Sequence, residues 1–191
     1  MSSKVDIFKT DRKYKIIYAD PPWQYNRKTG RSSAEQHYST MSIDQIKNLP
    51  VKELKTDDAM LFMWVTFPML EVALEVIKSW GFTYKGVAFV WVKKNKCGSN
   101  FWGMGQYTRS NAEVCLMAIS KNTRASKFIK SHRVHQIVEA IREEHSKKPA
   151  IIRDKIVELC GDIPRIELFA RQAVDGWDRW GNEAPDDIGE V

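Results

Sequence analysis

Lys15-Ile16-Ile17-Tyr18-Ala19-Asp20-Pro21-Pro22-Trp23 is an apolar run that stops at a carboxylate, two prolines and an aromatic ring. A short continuous apolar run closed by proline reads as a strand buried on both faces. In open α/β sheets ligands collect beyond the carboxyl ends of strands, which is where Asp20 falls. The two prolines set φ and remove two amide donors, so this turn is read as leaving carbonyls without competing N–H groups. Asp20 adds a carboxylate acceptor and Trp23 a flat apolar face. A planar group bearing an NH2 would meet two acceptors and a stacking surface here, a description that fits a nucleobase's exocyclic amine. A strand-ending turn beside a core tryptophan is the simpler alternative.

Working outward, short apolar runs alternate with helical patterns, the signature of an α/β sheet. Ser42 opens a short helix with Gln45 as its capping-box partner. Ala59 to Val65 reads as a second buried strand. After Pro68, Leu70, Ala73, Leu74 and Ile77 recur at helical spacing up to Gly81. Val87–Val92 and Ala112–Ile119 read as strands. Val134–Ile141 is read as a strand rather than a helix. Pro149 to Leu159 forms a helix closed by Gly161, followed by a strand over 165–170 and a short one over 177–180. One domain over 1–185 with an acidic, loose tail over 186–191 accounts for the chain. Trp64, Trp80 and Trp91 lie within or beside apolar runs and are assigned to the core.

The 191 residues can bury a sizeable core, and 43% hydrophobic composition argues against disorder. No stretch suits a membrane span, and Met1-Ser2-Ser3-Lys4 is not a signal peptide. Cys97, Cys115 and Cys160 share no close spacing, which argues against a disulfide framework or zinc site and suggests a reduced, cytoplasmic setting. His132, His135 and His145 do not make a metal-ligand pattern, so no metal is expected. Net charge is +6, and residues 121–155 alone, with ten basic and four acidic side chains, hold all of it. Such a run is ordinarily a solvated face, yet it is also how a phosphate-backbone footprint begins. On the second reading Lys127, Lys130 and Arg133 contact nucleic acid beside the site.

Further blocks follow in order: His37 to Ser42, Leu61 to Thr66, Trp80-Gly81-Phe82 and Trp91-Val92-Lys93. After them come Gly103 to Arg109, Asn111-Ala112-Glu113, His145 to Pro149, Ile166 to Arg171 and Gly176 to Glu183. With Asp20-Pro21-Pro22-Trp23, this ordered set resembles the adenine-N6 methyltransferases typified by the catalytic subunit of the eukaryotic mRNA adenosine methyltransferase, in a small bacterial or phage form.

That resemblance implies a Rossmann-like fold with a mixed, mostly parallel sheet, helices on both faces and a permuted order that puts the catalytic block before the cofactor strand. It implies S-adenosylmethionine as cofactor. Carried over by position, Asp20, Pro21, Pro22 and Trp23 are catalytic, and Asp20 also borders the cofactor. Glu167, Phe169 and Arg171 line the cofactor pocket, Asn182 and Glu183 bond its ribose hydroxyls, and Lys148 reaches its carboxylate or a substrate phosphate. Asp6 and Ile7 resemble the pair that grips its adenine. Ala173 and Val174 replace a polar pair of the RNA-modifying relatives, so contacts there differ.

Tyr25 joins Trp23 against the target base. Arg27, Lys28, His37 and Tyr38 lie on a loop, residues 24–40, expected to close over it, with an ordinary surface loop the alternative. Lys93, Arg109 and Glu113 are read as substrate contacts, with surface ion pairs an equal alternative. The expected substrate is adenine in DNA, methylated with relaxed or short-site specificity, because no separate recognition domain fits between residues 120 and 164. A homodimer is compatible with this reading. The same reaction on RNA adenosine and a non-catalytic nucleic-acid-binding subunit remain as alternatives, the latter weakened by the intact Asp20–Trp23 block.

Overall fold

The computed structural model describes residues 2–24, 40–105, 107–121, 123–143 and 147–187. Among them, β1 (Tyr14–Ala19), β2 (Lys55–Val65), β3 (Phe82–Lys94), β4 (Ala112–Ser120), β5 (Ile137–Ile141), β6 (Arg165–Leu168) and β7 (Asp178–Trp180) form one sheet. Their spatial order is β5-β3-β4-β2-β1-β6-β7. Only β4 runs against its neighbours, β2 and β3, and the remaining pairs are parallel. This is the mixed, mostly parallel α/β sheet that the sequence led us to expect.

Alternation along the central strands divides the core in two. Ile17, Ala19, Leu61, Met63 and Val65 face one layer, packed with residues of the helices α1 (Ile43–Lys47), α2 (Val51–Leu54) and α3 (Leu70–Ser79). Ile16, Tyr18, Met60, Phe62 and Trp64 face the other, covered by Ile152, Ile156 and Cys160 of α4 (Ile151–Cys160). Helices therefore cover both faces. Among the described residues no helix is long and apolar enough to cross a membrane.

Local signals behave as their chemistry dictates. Ser42 Oγ accepts from Gln45 N while Gln45 Oε1 accepts from Ser42 N, closing the expected capping box on α1. Trp64, Trp80 and Trp91 are buried, and Trp80 donates its indole N–H to Ile46 O at 2.9 Å. The apolar face of α3 is rotated from the expected stripe. Ala73, Val76 and Ile77 point inward while Leu70 and Leu74 stay partly exposed, because Pro68 starts a separate 3-10 turn over Phe67–Met69 ahead of the helix. Helix α2 carried no sequence signal. Asp186 and Asp187 of the tail are held by Lys4 and Arg179, and the rest of the tail lies outside the described residues.

Contrary to expectation, the basic residues between 121 and 155 do not lie together beside Asp20. Because β4 runs backwards, its last residue Ser120 sits at the amino end of β2, where its Oγ accepts from Ala59 N. Thr123 then bonds Asp57 O, and Lys130 N donates to Leu159 O near the end of α4. Lys127 and Lys130 are thus at the end of the sheet opposite Asp20, while Arg133 stands on the segment that leads from there to β5. Arg142, Lys147 and Lys148 return to the Asp20 end, and Arg153 follows in the first turn of α4, where it bonds Glu167.

Candidate active site

Four parallel strands end side by side, and the residues that follow them build one cleft. Asp20 to Trp23 follow β1, Thr66 follows β2, Phe169 to Arg171 follow β6, and Gly181 to Glu183 follow β7. Glu113 joins from the start of the reversed strand β4, and Lys148 from just ahead of α4. The chain leaves β1 for β2 through α1 and α2 on one face and enters β6 from α4 on the other. The cleft opens between these neighbours, at the point where the winding of the sheet reverses.

The walls are held by backbone. Ala170 N donates to Trp180 O at 2.9 Å, joining the ends of β6 and β7. A Cβ on Gly181 would stand 2.8 Å from both Ala170 N and O, so only glycine lets these segments approach so closely. Phe169 has φ 63°, the left-handed region a bulky residue rarely occupies, and its ring packs edge-on against Trp180 at 5.3 Å. After Asp20 the chain turns sharply. Pro21 O accepts from Trp23 N at 2.9 Å and Pro22 O from Met41 N at 3.1 Å. The proline carbonyls are therefore already engaged by amide hydrogens, contrary to expectation, because the i to i+2 turn folds Trp23 back on Pro21. Each carbonyl oxygen still has two lone pairs. Trp23 is only 6% exposed, and its indole donates to Trp64 O at 3.2 Å, so it forms cleft wall and core together.

Four charges alternate along one side. Lys148 Nζ lies 2.8 Å from Asp20 Oδ2 and 3.3 Å from Glu113 Oε2, and Glu113 Oε1 accepts from Lys93 Nζ at 2.5 Å. Burial pushes the Asp20 carboxyl above its ordinary range, opposed by Lys148. Burial would also raise Glu113, but Lys148 and Lys93 outweigh it and hold this carboxyl below the usual range. Burial acts to lower the Lys148 pKa, and its two carboxylates more than compensate, so the ammonium stays charged. The two carboxylates are thus driven apart, with Asp20 the readier to take a proton.

Of the expected site residues, the cleft gathers Asp20, Pro21, Pro22, Trp23, Glu113, Lys148, Phe169, Arg171, Asn182 and Glu183. Glu167 is not among them. It points to the opposite side of β6, where Arg153 Nε and Nη2 bond it at 2.6 and 2.7 Å. Burial raises this carboxyl, against the pull of Arg153. Asp6 lines a neighbouring hollow that shares Trp180, Gly181 and Asn182 with the cleft, while Ile7 is buried in the core. Lys93 reaches the cleft only through Glu113, and Arg109 stands on the exposed β3–β4 connection. Tyr25, Arg27, Lys28, His37 and Tyr38 lie outside the described residues, as does His145. Sequence reading missed Thr40, Met41, Gln45, Thr66, Trp180 and Gly181 in the lining, and Gln45 had been noticed only for its capping role. Among the described residues no three His, Cys, Asp or Glu converge as a metal site.

The MT-A70 family matches residues 14–183, from the first residue of β1 to the last acidic residue of the cleft. The chain belongs to the MT-A70 family. Its relatives are methyltransferases by name. This MT-A70 chain is 35% identical over 198 residues to the type II methyltransferase M.MunI of Mycoplasma sp, with 94% of this chain and 82% of that protein covered. It is 30% identical over 187 residues to the N(6)-adenosine-methyltransferase MT-A70-like protein of Arabidopsis thaliana, covering 95% of this chain and 25% of that one. Against the human N(6)-adenosine-methyltransferase catalytic subunit METTL3 it is 30% identical over 176 residues, covering 90% and 28%. The MT-A70 chain therefore spans most of the Mycoplasma protein and about a quarter of the two eukaryotic ones.

Proposed function

We propose that this protein transfers a methyl group from S-adenosylmethionine to the exocyclic N6 amine of adenine in DNA, at a short or loosely defined site. The observation that carries the reading is the convergence of Asp20–Trp23 with Phe169–Arg171 and Asn182–Glu183 in one cleft at the carboxyl ends of β1, β6 and β7. The lining suits the cofactor. Phe169 and Trp180 offer apolar surface for an adenine ring, Asn182 and Glu183 offer polar groups for ribose hydroxyls, and Arg171 and Lys148 offer positive charge for a carboxylate. When bound, the cofactor supplies an electrophilic methyl on a sulfonium.

The chain's own residues act on the amine. The N6 lone pair is delocalised into the purine, so the base is a poor nucleophile until its hydrogens are held. The Asp20 carboxylate and the second lone pair of Pro21 O accept those two hydrogens, which draws the nitrogen toward tetrahedral geometry and frees its lone pair for in-line attack. The amine sheds a proton after transfer, and Asp20, whose carboxyl burial pushes up, is placed to take it. Lys148 holds Asp20 in position without neutralising it. A base in a duplex must first leave the stack, which costs a few kcal/mol and favours unpaired or distorted sites.

The preference for DNA leans on the type II methyltransferase that the chain matches nearly end to end. The names of the eukaryotic relatives favour adenosine in RNA as the second reading. Transfer from labelled cofactor to unmodified duplex DNA, single-stranded DNA and RNA separates the two. Asp20→Ala should lower transfer by about two to four orders of magnitude while cofactor binding persists. Full activity in that variant would remove Asp20 from the mechanism, and a silent wild type on all three substrates would favour a non-catalytic subunit.

A further inference from the structure

The connection from β3 to β4 leaves the sheet at the same end as Asp20. Lys93 at its base bonds Glu113, which contacts Lys148 and through it Asp20. This connection exposes three large apolar side chains: Trp102 at 64%, Met104 at 91% and Tyr107 at 93%. One exposed apolar residue needs no explanation, but three within six positions do.

They are not a consequence of a loose backbone. Phe101 N donates to Lys93 O at 3.0 Å and Gly103 N to Ser110 O at 2.8 Å, so the two limbs are tied together. A Cβ at Gly103 would stand 2.4 Å from Ser110 O, and the site at Gly105 is tighter still against Thr108 O. Two glycines close the limbs face to face, and Trp102, Met104 and Tyr107 are turned to solvent.

The surrounding charge indicates the occupant. Residues 93–109 contain Lys93, Lys94, Lys96 and Arg109 and no aspartate or glutamate. Lys93 and Lys94 are paired with Glu113 and Glu139. Arg142 of the adjoining edge lays its guanidinium 4.2 Å from the centre of the Phe101 ring, and Arg109 Nη1 lies 3.4 Å from Met104 Sδ. Exposed aromatics interleaved with cations, on a connection whose own residues include no carboxylate, match a strand of unpaired nucleotides, whose bases stack and whose phosphates need counter-charge. A second copy set face to face on this surface would bring like charges together.

We propose that the β3–β4 connection is a stacking platform for unpaired nucleotides flanking the target adenine. The inference rests on the methyltransferase reading: a strand whose base enters the cleft continues across Trp102 and Tyr107 at the same end of the sheet.

Fluorescence anisotropy with labelled single-stranded DNA, the matching RNA and a duplex tests it, alongside calorimetry with S-adenosylhomocysteine and sedimentation velocity. Trp102→Ala with Tyr107→Ala should weaken single-strand binding about tenfold or more, with the salt slope unchanged. Lys96→Glu with Arg109→Glu should flatten the salt slope. Trp102→Phe with Tyr107→Phe keeps the stacking faces and should retain affinity. S-adenosylhomocysteine should bind all of them as it binds wild type, which shows that they are folded. If the alanine pair leaves oligonucleotide affinity unchanged while wild type binds, the platform is refuted and the methyltransferase reading stands. If wild type binds none of the three nucleic acids, the reading fails and takes the platform with it. A wild-type dimer that becomes monomeric in the alanine pair, at unaltered oligonucleotide affinity, assigns this surface to self-association and also overturns the proposal.

Discussion

Asp20 sits in a line of alternating charge, and the order of that line sets its acidity. Lys148 pulls the carboxyl down while burial and Glu113 push it up, with the balance upward. Removing Glu113's charge takes away one upward push and leaves Lys148 wholly to Asp20. Glu113→Gln should therefore move the acid limb of the kcat/KM profile to lower pH and cut kcat about tenfold, a loss typical of a loosened catalytic contact. A pH profile measured on a short adenine-containing oligonucleotide reads both, and an acid limb that stays in place would disconnect Glu113 from Asp20. Glu113 was visible in the sequence as one of several charges at strand ends. Its partner Lys148 was visible as one of a basic pair before Pro149. That the two meet depends on β4 running backwards, which no local pattern announces.

At the scale of an element, β6 shows where alternation stops being informative. Strict period two puts Glu167, Phe169 and Arg171 on one face. The strand ends at Leu168, and the left-handed backbone of Phe169 breaks the parity, so Phe169 and Arg171 enter the cleft while Glu167 faces Arg153 on α4. That pair is buried and doubly bonded, so its value lies in not being left half-made. Glu167→Gln should destabilise the fold by about 3–5 kcal/mol, a fall in Tm of roughly 10 °C in a thermal melt. Arg153→Met with Glu167→Leu should recover most of that loss. If instead Glu167→Gln left Tm unchanged and abolished cofactor binding, Glu167 would belong to the cofactor pocket after all. On α3 the sequence period was right but its phase was not, because the preceding 3-10 turn sets the rotation at which the helix starts.

For the molecule as a whole, the basic residues of 121–155, which carry the +6 excess in sequence, are divided between the two ends of the sheet. Lys127 and Lys130 share a stretch of sequence with Lys148, yet the course of β4 carries them away from the cleft. Lys127→Glu with Lys130→Glu should leave oligonucleotide affinity within about twofold at 0.15 M salt, where charges beyond roughly 8 Å are screened. A tenfold loss in the same anisotropy titration would restore them to the nucleic-acid footprint. By itself the sequence determined the central strands β1, β2, β4 and β6, because runs buried on both faces cannot be disguised, and it determined Asp20-Pro21-Pro22-Trp23 as a strand end with chemistry. The ordered blocks further determined the family and most of the cleft. Only the tertiary structure decided which charges meet. Strand order, the reversal of β4 and the turn at Phe169 are set by long-range packing, and ion pairs such as Asp20–Lys148 close across more than a hundred residues of chain.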